Sequence, residues 1–493
     1  MKLTDLLNAL TYYRKDDAGN PEVESIEMDS RKVTNGALFV CLRGLQFDGH
    51  LFVDEVVAKG AVALIAERPV KADVPVIYVS DSRRALAILS DAFYSHPSHE
   101  LNLFGVTGTN GKTTVTQLIQ HIHNEAGISS GVIGTIGIQF NDQTIEVHNT
   151  TPESLDLQKA FRLMVNDGVK ACAMEVSSHA LHQGRVRGLD FNIGVFTNLT
   201  QDHLDYHHTM ADYLQAKSLL FSQLGNTYSK DSLKLAVINQ DDPAAETLKR
   251  MTSAQVLTYG LERNADFRAR HITVTGRGTR FEWVTNEGVF PVQMKLIGKF
   301  SVYNVLAAGL TCYASGIPMK IIIKAVENME GVPGRFEPVV GGQPFTVIVD
   351  YAHTPDSLEN ALKAIKAFSE GRIITVVGCG GDRDRKKRPI MARTSLKFSD
   401  TSIFTSDNPR TEDPEAILQE MQEGLLTDDY KVIVDRRQAI EEAVRLAGEK
   451  DVILIAGKGH EPYQIIGTEI VDFDDRLVAL EAIKERISNG TTN

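Results

Sequence analysis

Lys112 follows glycines at 105, 108 and 111 in Gly105-Val-Thr-Gly-Thr-Asn-Gly-Lys-Thr-Thr114, a spacing that lets backbone bend closely around an anion. The apolar run Leu101 to Val106 before it reads as a buried strand. Lys112 then opens a helix through Val115, Leu118, Ile119 and Ile122, with Gly127 as its stop. Strand, glycine turn and helix N-terminus together make a phosphate cradle: N–H groups converge, the helix end is positive, and the lysine adds a full charge. Thr113 is placed to offer its hydroxyl to a magnesium ion, and Gly108, Thr109, Asn110, Gly111 and Thr114 complete the loop. The usual pattern carries a further glycine five positions before Gly111, where this chain has Val106, so only the shorter Gly108–Thr113 core remains. The bland alternative is a glycine-rich turn with a chance lysine. The strand–loop–helix context favours a nucleoside triphosphate site.

Other residues have types suited to the same chemistry. Glu175 and His203 each follow a strand-like run, and a magnesium ion bridging phosphates takes hard oxygen ligands and tolerates an imidazole. Equally, Glu175 could cap the next turn and His203 could be an ordinary loop histidine; spacing does not decide between these. His203 and His207 are four apart, a zinc-like spacing on a helix, but no HExxH accompanies them and Asp202-His-Leu-Asp-Tyr206 reads as loop. Lys217 lies in a helical stretch, where most lysines are solvated. Gly380 to Arg393 sets Arg383, Arg385, Lys386, Lys387, Arg388 and Arg393 against Asp382 and Asp384. Such a run is usually a solvated face; its place directly after a strand and two glycines favours an anion contact. Gly378-Cys-Gly-Gly381 does not fit the GxGxxG spacing of a dinucleotide site.

The elements that must position these residues form an α/β pattern in three parts. The 493 residues are 42% hydrophobic and 24% charged, enough for sizeable cores. Residues 1–98 alternate strand-like runs (Ala37–Leu42, Ala61–Ile65, Val74–Val79) with helical ones, and Pro97 with the polar residues up to Glu100 marks a boundary. From 99 to 333 the strand–loop–helix unit repeats, with polar residues just past the strand ends, where open parallel sheets place ligands. Within it, 264–297 alternates like antiparallel strands. Gly331-Val-Pro-Gly334 breaks the chain, and 334–493 forms a third α/β unit whose strands each deliver a polar loop. The net charge of −12 argues against non-specific nucleic-acid binding. Met1–Arg14 is too polar for a secretory signal and no apolar run spans a membrane, so no membrane partner is expected. Cysteines at 41, 172, 312 and 379 show no paired spacing, which excludes a CxxC metal site and suits a reducing cytoplasm.

Six stretches, in order along the chain, resemble the Mur ligases: Gly108-Thr-Asn-Gly-Lys-Thr113, Asn149-Thr-Thr-Pro-Glu153, Glu175-Val-Ser-Ser-His179, Asn198-Leu-Thr-Gln-Asp-His-Leu-Asp205, Asp350-Tyr-Ala-His-Thr-Pro355 and Asp407-Asn-Pro-Arg410. The match runs from Met28-Asp-Ser30 to Glu461, and Val106 is itself usual in that family. The resemblance implies three domains: a uridine-nucleotide domain, a central P-loop-type ATPase domain, and a Rossmann-like C-terminal domain binding the incoming amino acid. It also implies an ATP-dependent ligase that adds meso-diaminopimelate to the D-glutamyl γ-carboxylate of UDP-MurNAc-L-Ala-D-Glu through an acyl phosphate, acting as a monomer in the cytoplasm.

By the same resemblance Ser30, Leu45, Gln46 and Phe47 hold the uridine diphosphate end. Asn149, Thr150, Thr151, Ser177, Gln183 and Arg185 hold the sugar and peptide. Asn304 faces adenine, with Arg335 and Asp350 on the nucleotide. Thr113, Glu175, His203 and Lys217 serve magnesium, Lys217 as a carbamate (N6-carboxylysine) formed with carbon dioxide. Arg383, Asp407, Asn408, Pro409, Arg410, Gly457 and Glu461 meet the diamino acid, with Arg410 on its distal carboxylate. The alternatives are a related ligase of the folylpolyglutamate synthetase type and a non-catalytic nucleotide-binding relative. Asn149-Thr-Thr and Asp407-Asn-Pro-Arg argue against the first; intact Lys112, Glu175, His203 and Lys217 argue against the second.

Overall fold

In the computed structural model, described over residues 1–16, 19–44, 48–147, 149–226 and 234–490 (489 and 490 by backbone only), the chain builds three sheets one after another. The first has five strands in the order Arg14–Lys15, Val76–Tyr78, Ala61–Ala66, Ala37–Val40, Ser25–Glu27, all parallel neighbours except the first pair. Ser30 begins a short 3₁₀ turn, Ser30–Lys32. Leu45, Gln46 and Phe47 lie outside the described residues.

The second sheet has eleven strands. Its parallel centre runs Leu235–Asn239, Ile193–Phe196, Asn102–Thr107, Ala171–Glu175, Ser130–Gly134. The middles of these strands are apolar because helices cover both faces: Lys112–Glu125 and Lys299–Ala314 pack on one side, Ser154–Asn166 and Met210–Ser222 on the other. At one edge Phe267–Thr275, Gly278–Thr285 and Gly288–Met294 form an antiparallel meander. Its Trp283 is fully buried and so close to Gly309 that a Cβ there would overlap the indole.

The third sheet runs Glu337–Pro338, Thr346–Asp350, Val452–Ala456, Ile373–Val377, Thr401–Phe404, Lys431–Val432, parallel but for its first strand. A separate hairpin, Tyr463–Ile466 with Glu469–Asp472, leans on it through a bridge between Arg410 and Ile466. No described helix is long and apolar enough to cross a membrane.

One local expectation is corrected. Residues 202–206 are not all loop: Leu204–His207 is a single helical turn. His203 adopts a left-handed conformation (φ 54°) and its carbonyl accepts from His207 N at 3.0 Å, which nucleates the turn without any glycine. His207 nevertheless turns to Ser178 Oγ, 2.9 Å away, rather than to a ligand position beside His203.

Candidate active site

The phosphate loop leaves the strand Asn102–Thr107 and enters the helix Lys112–Glu125. Gly108 and Gly111 have φ of 150° and 88°. A Cβ at Gly108 would overlap Thr197 Oγ1, and one at Gly111 would overlap Asn304 Oδ1, so glycine is required twice. The neighbouring strand end braces the loop: Thr109 N donates to Asn198 O at 2.8 Å, Asn110 N to Asn198 Oδ1 at 2.9 Å, and Thr197 Oγ1 to Asn110 O at 2.7 Å.

Lys112 folds back over this loop, its Nζ donating to Gly108 O at 3.0 Å and Thr109 O at 2.8 Å. Lys217 reaches the same Gly108 carbonyl at 2.8 Å from the helix Met210–Ser222. It is not a solvated lysine: only 1% of it is exposed, and its ammonium lies 4.3 Å from the Tyr213 ring centroid. Burial lowers both ammonium pKa values, and for Lys217, pushed well below its ordinary value, the charge of Lys112 lowers it further.

Glu175 ends the strand Ala171–Glu175 and is 1% exposed. It does not cap the next helix, a role that falls to Ser177, whose hydroxyl accepts from Ala180 N. Its carboxylate instead accepts from Thr135 N at 2.8 Å and carries charge that acts on Lys112. Thr113 is buried at the helix start, its Oγ1 accepting from Arg335 at 2.9 Å. His203 sits with Nε2 3.4 Å from Asp202 Oδ2; burial holds its imidazole below the ordinary pKa despite that carboxylate, with Lys112 and Lys217 adding to the depression. Among the described residues no group of three His, Cys, Asp or Glu is set to hold a metal ion; Thr113, Glu175 and His203 supply a hydroxyl, a carboxylate and a neutral imidazole, types of donor that a magnesium ion accepts.

A cavity of about 540 Å³ opens beside the loop, between the second and third sheets. Asn110, Gly111, Asn304, Arg335, Asp350 and Tyr351 are among its lining residues. Arg335 stacks 4.4 Å from the Tyr351 ring centroid. Asp350 Oδ2 accepts from Phe336 N at 2.7 Å; burial raises its pKa to about 6 although Arg335 opposes the rise. Sequence reading passed over Asp356, on the first turn of the helix Pro355–Lys366. Its Oδ2 accepts from Asn110 Nδ2 at 2.8 Å and Thr200 Oγ1 at 2.9 Å, tying the third unit to the phosphate loop itself. An acidic residue on a helix's first turn is too common to have flagged it.

On the other side of Glu175, four more of the expected residues lie together. Thr151 Oγ1 donates to Glu175 O at 2.9 Å and accepts from Ser177 N at 3.0 Å. Arg185 donates to Thr151 O at 3.0 Å and to Gln183 Oε1 at 2.8 Å, and pairs with Glu153 at 3.2 Å. Thr150 Oγ1 is 3.2 Å from Thr135 Oγ1, while Asn149 is exposed. Tyr206, also passed over, accepts from Gln183 Nε2 at 3.2 Å. Ser30 is not part of this group; it stays with the first sheet, its carbonyl accepting from Lys59.

The third unit gathers a polar pocket at its strand ends. Asp407 is buried against Gly457, where φ is 121° and a Cβ would overlap the carboxylate. Asn408 Nδ2 donates to Glu461 Oε2 at 2.9 Å, and the fully buried Lys458 donates to Asn408 Oδ1 at 3.1 Å and lies 3.4 Å from Glu461 Oε2. Burial raises the Glu461 pKa against the pull of Lys458. Arg410 takes φ of 51° and donates NH1 to Gly381 O at 2.8 Å. It does not cap the helix Pro414–Gln422, which Asp413 does. Pro409 O lies against Gly381 so closely that no Cβ fits there, and Arg383 is exposed, donating to Asp382 O.

The basic run around it is only partly available to an anion. Arg388 is fully buried between Glu412 and Glu420, at 2.8 and 2.7 Å, and Arg385 pairs with Glu420. Arg388 is thus neutralised inside the protein, while Arg385 is paired at the surface, so these two members of the run spend their charge on Glu412 and Glu420.

Three family profiles match the chain: "Mur ligase family, catalytic domain" over residues 22–94, "Mur ligase middle domain" over 106–312 and "Mur ligase, glutamate ligase domain" over 334–459. Among similar proteins is the UDP-N-acetylmuramoyl-L-alanyl-D-glutamate–2,6-diaminopimelate ligase of Geobacillus thermodenitrificans, 54% identical over 488 residues, spanning 99% of this chain and 100% of that protein. The Bacillus cereus protein of the same name is 53% identical over 489 residues, spanning 99% and 100%. A solved structure of a ligase of that name superposes with a TM-score of 0.70 at 34% identity, covering 98% of this chain and 99% of the other. A MurF ligase from Thermotoga maritima in complex with ADP shares the fold at a TM-score of 0.62 and 19% identity, covering 94% and 97%.

Proposed function

The chain belongs to the Mur ligase family, and from that premise we propose that it is an ATP-dependent ligase joining meso-diaminopimelate to the D-glutamyl γ-carboxylate of UDP-MurNAc-L-Ala-D-Glu. The observation that carries the reading is the junction around the phosphate loop. There Arg335 and Asp356 from the third unit meet Thr113 and Asn110 from the second, enclosing the cavity beside Lys112. Residues 1–98 hold the uridine nucleotide through Ser30 and the 45–47 segment, 99–333 hold ATP and the peptide, and 334–493 hold the diamino acid.

ATP occupies the cavity with its base toward Asn304 and its phosphates on the loop. A γ-carboxylate oxygen of the peptide, held by Thr150, Thr151, Ser177, Gln183 and Arg185, attacks the γ-phosphorus and ADP leaves, giving an acyl phosphate. Lys112 releases the carbonyls of Gly108 and Thr109 and turns to the charge on the transferred group. The amine of the incoming amino acid then attacks the acyl carbon. The tetrahedral adduct expels inorganic phosphate and loses a proton. Thr113, Glu175, His203 and a carbamylated Lys217 would hold magnesium, whose chemistry there is to neutralise phosphate charge. Asp356 and Arg335 keep the third unit over the loop, excluding water from the acyl phosphate.

Lys217 supports this reading in its own chemistry. Two ammonium groups on one carbonyl repel each other, and the depressed pKa of Lys217 supplies the neutral amine that carbon dioxide requires. The neutral Nζ forms the bond to carbon as one C–O π bond opens onto oxygen, and then loses a proton, so an uncharged amine beside Lys112 becomes an anion.

In the third unit Arg410 meets the distal carboxylate that distinguishes meso-diaminopimelate from L-lysine, while Glu461 meets the distal ammonium. With L-lysine the half-buried guanidinium keeps its bond to Gly381 O but lacks the carboxylate, so the preference is expected on the order of 10²–10³-fold. The test is to incubate protein, ATP, magnesium and the UDP-muramoyl dipeptide with each amino acid and weigh the products. The meso-diaminopimelate adduct should form with one phosphate per bond, and Arg410→Ala or Arg410→Lys should lose most of the preference. Equal use of L-lysine by the wild type rejects this reading of the pocket; no adduct with either rejects the ligase.

A further inference from the structure

Arg410 reads a carboxylate only if its guanidinium is held in place, yet its backbone is left-handed and it stands between two loops rather than on a strand or helix. What joins those loops is a pair of staples. Beneath them the fully buried Arg388 donates NH2 to Gly380 O at 3.2 Å and to Glu412 Oε1 at 2.8 Å, and NH1 to Glu412 Oε2 at 2.9 Å and Glu420 Oε2 at 2.7 Å. Glu412 Oε1 in turn accepts from Asp382 N at 2.6 Å. On the solvent side Thr411 Oγ1 donates to Asp382 Oδ1 at 2.8 Å, and Thr411 N to Asp382 Oδ2 at 3.2 Å. Gly381 is thereby fixed between them, its N–H on Asn408 O at 2.9 Å and its carbonyl on Arg410 NH1 at 2.8 Å.

We propose that Arg388 with Glu412, and Thr411 with Asp382, form a clamp that positions Arg410 and so sets the choice of incoming amino acid; Arg388 is a positioning residue that touches no substrate. The inference rests on the reading of Arg410 given above. The chemistry favours it over simple packing. A buried arginine held by two carboxylates is costly to desolvate, and a hydrophobic residue of similar volume would stabilise the fold as well. What the ion pairs add is direction: a forked donor fixes Gly380 and Glu412 together, within a residue or two of the groups that hold Arg410. A displacement of about 1 Å in such a group is worth roughly 10²-fold in a reaction that depends on its placement.

The experiment compares meso-diaminopimelate with L-lysine as substrates of wild type, Arg410→Ala, Arg388→Met and Thr411→Val. In Arg388→Met, KM for meso-diaminopimelate should rise and the preference over L-lysine should fall by about tenfold or more, while KM for ATP stays at the wild-type value. Thr411→Val removes the hydroxyl's bonds to Asp382 and leaves only the backbone N–H of the exposed staple, and should lower the preference by about threefold; should Arg388→Met fail to fold, this variant decides alone. A preference that is intact in both clamp variants yet lost in Arg410→Ala overturns the clamp and leaves the Arg410 reading standing. Uniform loss with both amino acids and an unchanged ratio makes Arg388 merely structural and overturns it equally. No preference in the wild type removes the Arg410 reading itself.

Discussion

Two buried titrating residues carry the strongest residue-scale consequences. Lys217→Ala should retain less than about 1% of activity, because a group that orients the phosphate site is lost. Short carboxylates added to the variant should restore part of it, and removing bicarbonate should slow the wild type. Full activity in the variant would reject the carbamate. Asp350 gives a pH signature. Its folded pKa of about 6 lies above the ordinary 3.8, so it contributes stability that is complete below pH 3.8 and disappears as pH rises through 6. Asparagine mimics the protonated carboxyl and can still accept from Phe336 N. Asp350→Asn should therefore match wild type near pH 4 and gain on it up to roughly 3 kcal/mol at pH 7 in urea unfolding. A gap that does not change with pH means that the carboxyl titrates normally.

At the scale of elements, Gly111 joins the phosphate loop to its helix with φ of 88°. Alanine there suffers about 1–2 kcal/mol of left-handed strain and overlaps Asn304. Gly111→Ala should raise KM for ATP at least tenfold, read by nucleotide titration, with a modest fall in Tm; unchanged nucleotide affinity would show that the loop yields. This loop and the strands behind it were legible in the sequence because parallel strands covered on both faces are unbroken apolar runs, ending where glycine or polar residues begin. The turn Leu204–His207 was not legible, since four residues have no periodicity and a left-handed histidine nucleates it. Nor was the state of the basic run: Arg388 looks solvated in sequence and becomes internal only because Glu412 and Glu420, 24 and 32 residues on, fold back over it. Lys217 was obscured for the same reason, its carbonyl partner lying 109 residues earlier.

At the scale of the whole molecule, the second and third units meet through Asp356 and Asn110, 246 residues apart, a contact no local pattern announces. Asp356→Ala removes acceptors from both Asn110 and Thr200. The variant should fold normally but close less completely on ATP, seen as a larger radius of gyration with bound nucleotide and as hydrolysis of ATP without amide formation. A variant as tightly coupled as wild type would assign closure elsewhere. The order of strands in the third sheet has a historical consequence. The strand Thr346–Asp350 ends at the nucleotide cavity, whereas Ile373–Val377 and Thr401–Phe404, on the far side of Val452–Ala456, end in the loops that carry Gly381 and Arg410. On the proposed reading, the energy source and the building block are thus addressed by different strand ends. On the proposed assignment, descendants of such a chain can exchange one cell-wall monomer for another by rewriting 380–383, 407–412 and 457–461, and inherit the phosphate loop of the second unit unaltered.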